Sequence, residues 1–262
     1  RMSAAAIEPP LYLRSRLLPA GVPVVQVEHH RAHAAAAYFT SGSERRQLVV
    51  TLDGVGDGRS TCIWRGRDGR IEPLLELGPT ASLGWFYGCV TEALGWWHGD
   101  GEGKTMGLAA FGDAARCRGV LAGLHPEFAG GELRRPHDFG RPSPWAESGA
   151  IHWHLRDAEQ VRGSIERHGR EHAAAEAQRV LEEQVLALLL PWLEREGVDA
   201  LACAGGVFLN VKLNQRLWES GRLARQHVFP NAGDGGLAAG AALDVYFQAR
   251  PAAAMPALEH VY

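Results

Sequence analysis

Leu48-Val-Val-Thr-Leu-Asp-Gly-Val-Gly-Asp-Gly58 is the stretch on which the fold turns. Leu48 to Leu52 are apolar or β-branched and read as a buried strand, which ends in the carboxylate of Asp53. Gly54-Val-Gly-Asp-Gly58 reads as the turn that follows. Ser60-Thr-Cys-Ile-Trp64 and Ile71-Glu-Pro-Leu-Leu-Glu-Leu77 then complete an antiparallel meander. Toward the other end, Ala200-Leu-Ala-Cys-Ala204 is a strand, and the Gly205-Gly206 turn leads into a helix through about Trp218. Gln226-His-Val-Phe229 is a further strand, and Gly233-Asp-Gly-Gly236 opens a last helix to about Ala249. Strand-helix-strand-helix order implies parallel pairing. A meander joined to parallel strands predicts an α/β protein with a mixed sheet and helices on both faces.

Around this frame, Val24-Val-Gln-Val-Glu28 reads as a short strand running into an alanine-rich helix at His29-His-Arg-Ala-His-Ala-Ala-Ala-Ala-Tyr38. Leu83, Phe86, Val90 and Leu94 have helical spacing. Glu171 to Glu196 is the clearest helix, with a buried stripe from Ala174 to Trp192, and Pro191 is expected to bend or end it early. The stretch from about Cys117 to Arg170 is rich in Pro, Gly, His and Arg and reads as an irregular lid or insertion. His152-Trp-His154 has no third ligand nearby and reads as surface.

The chain has 262 residues, 46% hydrophobic and 22% charged, and a net charge of −3. That balance is globular and gives no electrostatic case for DNA or an anionic membrane. Cys62, Cys89, Cys117 and Cys203 are scattered, the pattern of a reduced compartment, and no apolar run reaches membrane-spanning length. A cytoplasmic location is expected.

Four places have chemical possibilities. His29 and His33 lie at i and i+4, so one helix face can present two imidazoles to one metal ion. A capping or core histidine beside a surface one has the same spacing. Asp53 with Gly54 and Gly56 suits close approach of an anion, or an ordinary Gly-rich hairpin. Gly205 and Gly206, between a strand and a helix, suit a phosphate or only close packing. Asp234 at a helix start is a routine cap, yet two imidazoles and a carboxylate in one cleft make a metal site with open positions.

Six blocks together resemble the NodU/CmcH family of O-carbamoyltransferases. Glu28-His-His-Arg-Ala-His-Ala-Ala-Ala-Ala-Tyr-Phe-Thr-Ser-Gly42 is similar to its metal motif, and Thr51-Leu-Asp-Gly-Val-Gly-Asp57 to its phosphate hairpin. Ser82-Leu-Gly-Trp-Phe-Tyr-Gly-Cys-Val-Thr-Glu-Ala-Leu-Gly95 and Gly101-Glu-Gly-Lys-Thr-Met-Gly-Leu-Ala-Ala-Phe-Gly112 follow in order. Ala204-Gly-Gly-Val-Phe-Leu-Asn210 and Asn231-Ala-Gly-Asp-Gly-Gly-Leu-Ala-Ala-Gly-Ala241 complete the set.

The resemblance implies an actin/hexokinase-type (ASKHA, RNase H-like) ATPase fold related to TsaD. It implies a divalent metal, iron first and zinc or manganese otherwise, on His29, His33 and Asp234. Asp53, Gly54 and Gly56 would lie by phosphates with Lys104 as a counter-charge, and Gly205, Gly206 and Asn210 against adenosine. The activity implied is transfer of carbamoyl from carbamoyl-adenylate, made from carbamoyl phosphate and ATP, to a hydroxyl of a small molecule such as an antibiotic, glycan or nodulation-factor-like sugar. His30 is a candidate base or a buried structural residue.

Residues 1–47 read as a remnant of the first TsaD-like subdomain. Residues 48–250 read as the second, with the insertion at about 117–170, and 251–262 as a tail. Against the family pattern, most of the first subdomain and a YrdC-like domain are missing, so a partner chain or a homo-oligomer is expected. Two other functions stay open: a non-catalytic nucleotide- or metal-binding fragment or subunit of a split enzyme, and TsaD-like threonylcarbamoyl transfer to tRNA.

Overall fold

The computed structural model describes residues 24–43, 45–140, 143–147, 150–255 and 258. Most of the 1–47 segment and part of the 251–262 tail lie outside these residues. The core is a five-stranded sheet of β1 (Gln47–Gly56), β2 (Arg59–Arg67), β3 (Arg70–Leu77), β8 (Ala200–Ala204) and β9 (Arg225–Val228), in the spatial order β3-β2-β1-β8-β9. β1, β2 and β3 pair antiparallel, while β8 pairs parallel to both β1 and β9. The α/β class and the mixed sheet are therefore those read from the sequence. The chain leaves β1 in one direction across the sheet and returns at β8 to continue in the other, so β1 and β8 flank a topological switch point. Ligands of open α/β sheets bind beyond the carboxyl ends of strands at such a point.

One face of the sheet carries α1 (His29–Phe39) and α7 (Leu237–Ala249). Small residues set that contact. A Cβ at Gly240 would lie 1.9 Å from the Ala32 carbonyl oxygen, so only glycine allows the helices to approach so closely. Phe39 and Phe247 stack with centroids 4.1 Å apart, a pair worth about 0.5–1.5 kcal/mol beyond its buried area. The other face carries α2 (Leu83–Ala93), α3 (Glu102–Ala109), α4 (Ala158–His168) and α5 (Arg170–Glu196), packed around Leu52, Ile63, Phe86, Leu181 and Leu188. The helix α6 (Val211–Trp218) connects β8 to β9.

Several local expectations need correction. Residues 24–28 pair with no strand among the described residues and simply lead into α1. The turn expected over Gly54–Gly58 is shorter, because β1 continues to Gly56 and only Asp57 and Gly58 turn, both at positive φ. Such a two-residue Asp-Gly turn suits the twist of a hairpin. The 117–170 stretch contains two small hairpins, β4 (Glu127–Ala129) with β5 (Glu132–Arg135) and β6 (Ser143–Glu147) with β7 (Ala150–His154), before α4.

Pro191 does not end α5. A proline there removes the N–H that would bond the Ala187 carbonyl. That carbonyl accepts instead from the Gly131 N–H of the β4–β5 turn at 3.0 Å, and the helix runs on to Glu196. The helix after the double glycine also starts later than expected. Gly206–Leu209 is a 3-10 turn, and α6 begins at Val211 behind its cap, Asn210.

Candidate metal centre

The carboxyl end of β1 meets the amino end of α1, and the local chemistry of both fixes the meeting. Glu28 caps α1 by accepting from the Arg31 N–H at 2.8 Å, and the turn residue Asp57 accepts from the His29 N–H at 2.9 Å. These bonds satisfy otherwise unpaired donors of a helix N-terminus and tie it to the hairpin. At Gly56 a Cβ would stand 2.1 Å from the His29 ring, so this glycine is what admits the imidazole.

Nε2 of His29 and Nε2 of His33 each lie 3.1 Å from Oδ2 of Asp53. The same nitrogens lie 3.6 and 3.5 Å from Oδ1 of Asp234, which stands at the start of the 3-10 turn Asp234–Gly236 ahead of α7. One ligand atom from each of the four residues falls within 4.8 Å of the others. The His33 side chain is 1% exposed and that of Asp234 is 70% exposed, so the group has a sealed side and an open side.

The structure thus brings together His29 and His33, paired by their spacing, and Asp234, which the family resemblance added. It adds Asp53, which the sequence placed only beside phosphates. Asp234 is not a helix cap, since Gly233 precedes the turn and no side-chain cap bond forms.

The electrostatics are lopsided. Burial alone would raise the Asp53 carboxyl, but hydrogen bonds from His29 and His33, the His33 charge and the Gly54 N–H outweigh it and hold it well below the usual carboxylate range. Burial alone would lower His33, but the bonds to Asp234 and Asp53 outweigh it and raise it. No lysine or arginine pairs with either carboxylate among the described residues.

Two carboxylates and two imidazole nitrogens converging without a cationic side chain form a donor set suited to a divalent transition metal. Among the described residues the buried Nδ1 of His33 has no hydrogen-bond partner, so packing and the Nε2 contacts to Asp53 and Asp234 orient that ring. His30 belongs elsewhere. It is fully buried, its Nδ1 lies 2.8 Å from the Thr51 hydroxyl, and burial pushes its pKa down to about 4. A neutral, structural imidazole fits that geometry better than a base for a bound substrate.

The glycines work mainly through close approach. A Cβ at Gly205, which has φ +96°, would lie 2.2 Å from the Leu52 carbonyl oxygen, and one at Gly206 would lie 3.1 Å from Asp53 Oδ1. The Gly205 N–H is bonded to the Ala232 carbonyl at 2.7 Å, and the Gly54 N–H to Asp53 Oδ1 at 2.7 Å. Neither amide is free for an anion. Asn210 is committed as well: its Oδ1 accepts from Leu213 N–H and Gln178, and its Nδ2 donates to Gln178. Lys104 stands exposed on α3.

Comparison with known proteins decides what kind of chain carries this group. A family profile described as "Carbamoyltransferase N-terminus" matches residues 15–243. The chain belongs to that family. The nodulation protein NolNO of Sinorhizobium fredii is a relative with 33% identity over 90% of this chain and 33% of its own length. An uncharacterized protein of Methanocaldococcus jannaschii is 32% identical over 82% of this chain and 36% of its own length.

The chain thus spans about a third of the length of these curated relatives. The crystal structure of full-length HypF in its phosphate- and nucleotide-bound form matches 90% of this chain and 44% of that one, with TM-score 0.56 and 15% identity. At that identity the likeness is one of fold. Among the described residues no helix is long and apolar enough to cross a membrane.

Proposed function

We propose that this chain is the acyl-transferring core of a carbamoyltransferase, moving carbamoyl from carbamoyl-adenylate to a hydroxyl of a small molecule. The observation that carries the reading is the group of His29, His33, Asp53 and Asp234, set at a strand-end switch point in a chain of the carbamoyltransferase family. In the transfer, the acceptor oxygen bonds to the carbamoyl carbon, the bond to the adenylate oxygen breaks, and the hydroxyl proton passes to a base. A divalent cation held by the four residues, iron first and zinc or manganese otherwise, would supply Lewis-acid stabilisation of developing negative charge.

The chain's own residues prepare that place. Asp57 and Glu28 hold the amino end of α1 so that both Nε2 atoms face Asp53. Gly56 makes room for the His29 ring, and Gly205 and Gly206 bring the β8 turn against Asp53. The β1–β8 crevice is the proposed seat of the adenylate, with Lys104 as a counter-charge. The mixed sheet supports the actin/hexokinase-type reading, with residues 48–250 as its second TsaD-like subdomain. The donor-making step, from carbamoyl phosphate and ATP, is assigned in this reading to a YrdC-like domain or partner chain. A tRNA substrate is disfavoured by the net charge of −3.

The test offers synthetic carbamoyl-adenylate and simple alcohols to the metal-loaded chain and measures AMP release. Metal-dependent release that disappears in His33→Ala is expected. Binding of the adenylate with no release above that variant would instead identify a non-catalytic binding module.

A further inference from the structure

Trp85 stands in the first turn of α2, on the face of the β1 end opposite the histidines. Side chains alternate along a strand, so Asp53 points toward α1 while the Gly54 position meets α2. A Cβ at Gly54 would lie 3.1 Å from Trp85 Cδ1 and 3.2 Å from Nε1, so the indole rests directly on this glycine with its N–H edge inward. The ring is held firmly. The backbone N–H of Trp85 donates to Ser82 Oγ at 2.9 Å, and the Ser82 hydroxyl donates to the Gly54 carbonyl at 2.7 Å, which fixes the start of α2 against Gly54. The buried Phe139 meets the indole at 81° with centroids 5.8 Å apart.

The indole nitrogen itself is unspent. Among the described residues Trp85 Nε1 has no hydrogen-bond partner, and unlike Nε1 of Trp64 it is not sealed from solvent. An indole can only donate, so an open N–H beside a ligand crevice asks for an acceptor. The indole lies over Gly54, and Gly206 of the β8 turn lies against the neighbouring Asp53, so the indole stands at the β1 side of the crevice between β1 and β8. The amides of Gly54 and Gly205 are already bonded, which leaves this side chain as a fixed donor at that spot.

We propose that Trp85 Nε1–H donates a hydrogen bond to a phosphate oxygen of a nucleotide bound in the β1–β8 crevice. The strand end then carries the metal-type group on one face and a phosphate-binding indole on the other. This rests on the nucleotide reading given above and names a residue that holds it.

Trp85→Phe tests it, because phenylalanine keeps an aromatic ring against Gly54 and Phe139 while deleting the N–H. Calorimetric titrations of wild type and variant would use the non-hydrolysable ATP analogue AMP-PNP and, separately, adenosine, with metal content measured on the same samples. A bond to a charged acceptor predicts AMP-PNP binding weaker by about tenfold, with adenosine affinity, metal content and melting temperature unchanged. Equal AMP-PNP affinity in the two proteins overturns the inference. An equal loss for adenosine also overturns it, since stacking or packing would then be the role. A wild type that holds metal but no AMP-PNP overturns the nucleotide reading itself, and this inference with it.

Discussion

The two ends of β1 carry opposite kinds of charge cluster, separated by roughly 20 Å at the usual rise of a strand. At the amino end, Glu196 accepts from Arg46 at 2.7 Å and from two nitrogens of Arg65 at 2.7 and 2.9 Å, while Arg65 also reaches Glu72. Arg46, Arg65, Glu72 and Glu196 are thus all paired, beside a cavity of about 540 Å³ that Arg67, Asp68 and Arg70 also line. At the carboxyl end, Asp53 and Asp234 face only two imidazoles. The first cluster is closed on itself and holds the β2–β3 hairpin to the end of α5. The second is short of positive charge, and a divalent cation is the economical way to supply it. A complete ion-pair network reads as structure, and an incomplete one reads as a site.

The largest effect expected from breaking this contrast is at the histidines. His33→Ala should weaken metal binding by roughly 100-fold or more, because a buried ligand is lost from a set of four. Equilibrium dialysis with zinc or iron measures it. Chelation comes next. Metal at 100 times its Kd should stabilise the fold by about 2.7 kcal/mol, read as a fall in Tm when chelator is added to the loaded protein. The same addition to His33→Ala should lower Tm much less, because metal at that concentration then contributes only about 0.4 kcal/mol or less.

At the closed end, Glu196→Gln should cost about 1–2 kcal/mol by urea denaturation while metal affinity stays at the wild-type value. The guanidinium of Arg65 is the first cause that holds the Glu196 carboxyl below its ordinary value of 4.5, with Arg46 adding to it. A depressed folded pKa gives stability that is present above the unfolded value and lost as pH falls through the folded one. The gap between wild type and Glu196→Gln should therefore be constant above about pH 5 and close below it, followed as urea midpoint against pH. The smallest effect is expected for the half-exposed Arg46, whose replacement by alanine should cost under about 0.5 kcal/mol by the same method.

The same contrast explains what the sequence could show. The meander and the histidine helix were legible because alternation and i,i+4 spacing are local patterns that burial enforces. The joining of Asp53 to the histidines was not, because linear order does not say which face of β1 an unpaired side chain takes. The resemblance set Asn210 against adenosine, and the structure adds that its side chain caps α6, a role not assigned to it from the sequence. The helix Ala158–His168 escaped notice since only Ala158, Val161 and Ser164 on it are buried, too few to mark a stripe. Pro191 misled because its compensating donor, Gly131, lies sixty positions away. Trp85 gave no signal at all, since an aromatic at the start of an apolar helix reads as core.

The most direct test of the account is metal stoichiometry by elemental mass spectrometry on anaerobically purified protein, with wild type beside Asp53→Ala and Asp234→Ala. The account predicts close to one divalent transition metal per chain in wild type and loss of it in both variants. Stoichiometric metal that persists in both variants, or a folded wild type that binds none when metal is supplied, would contradict it.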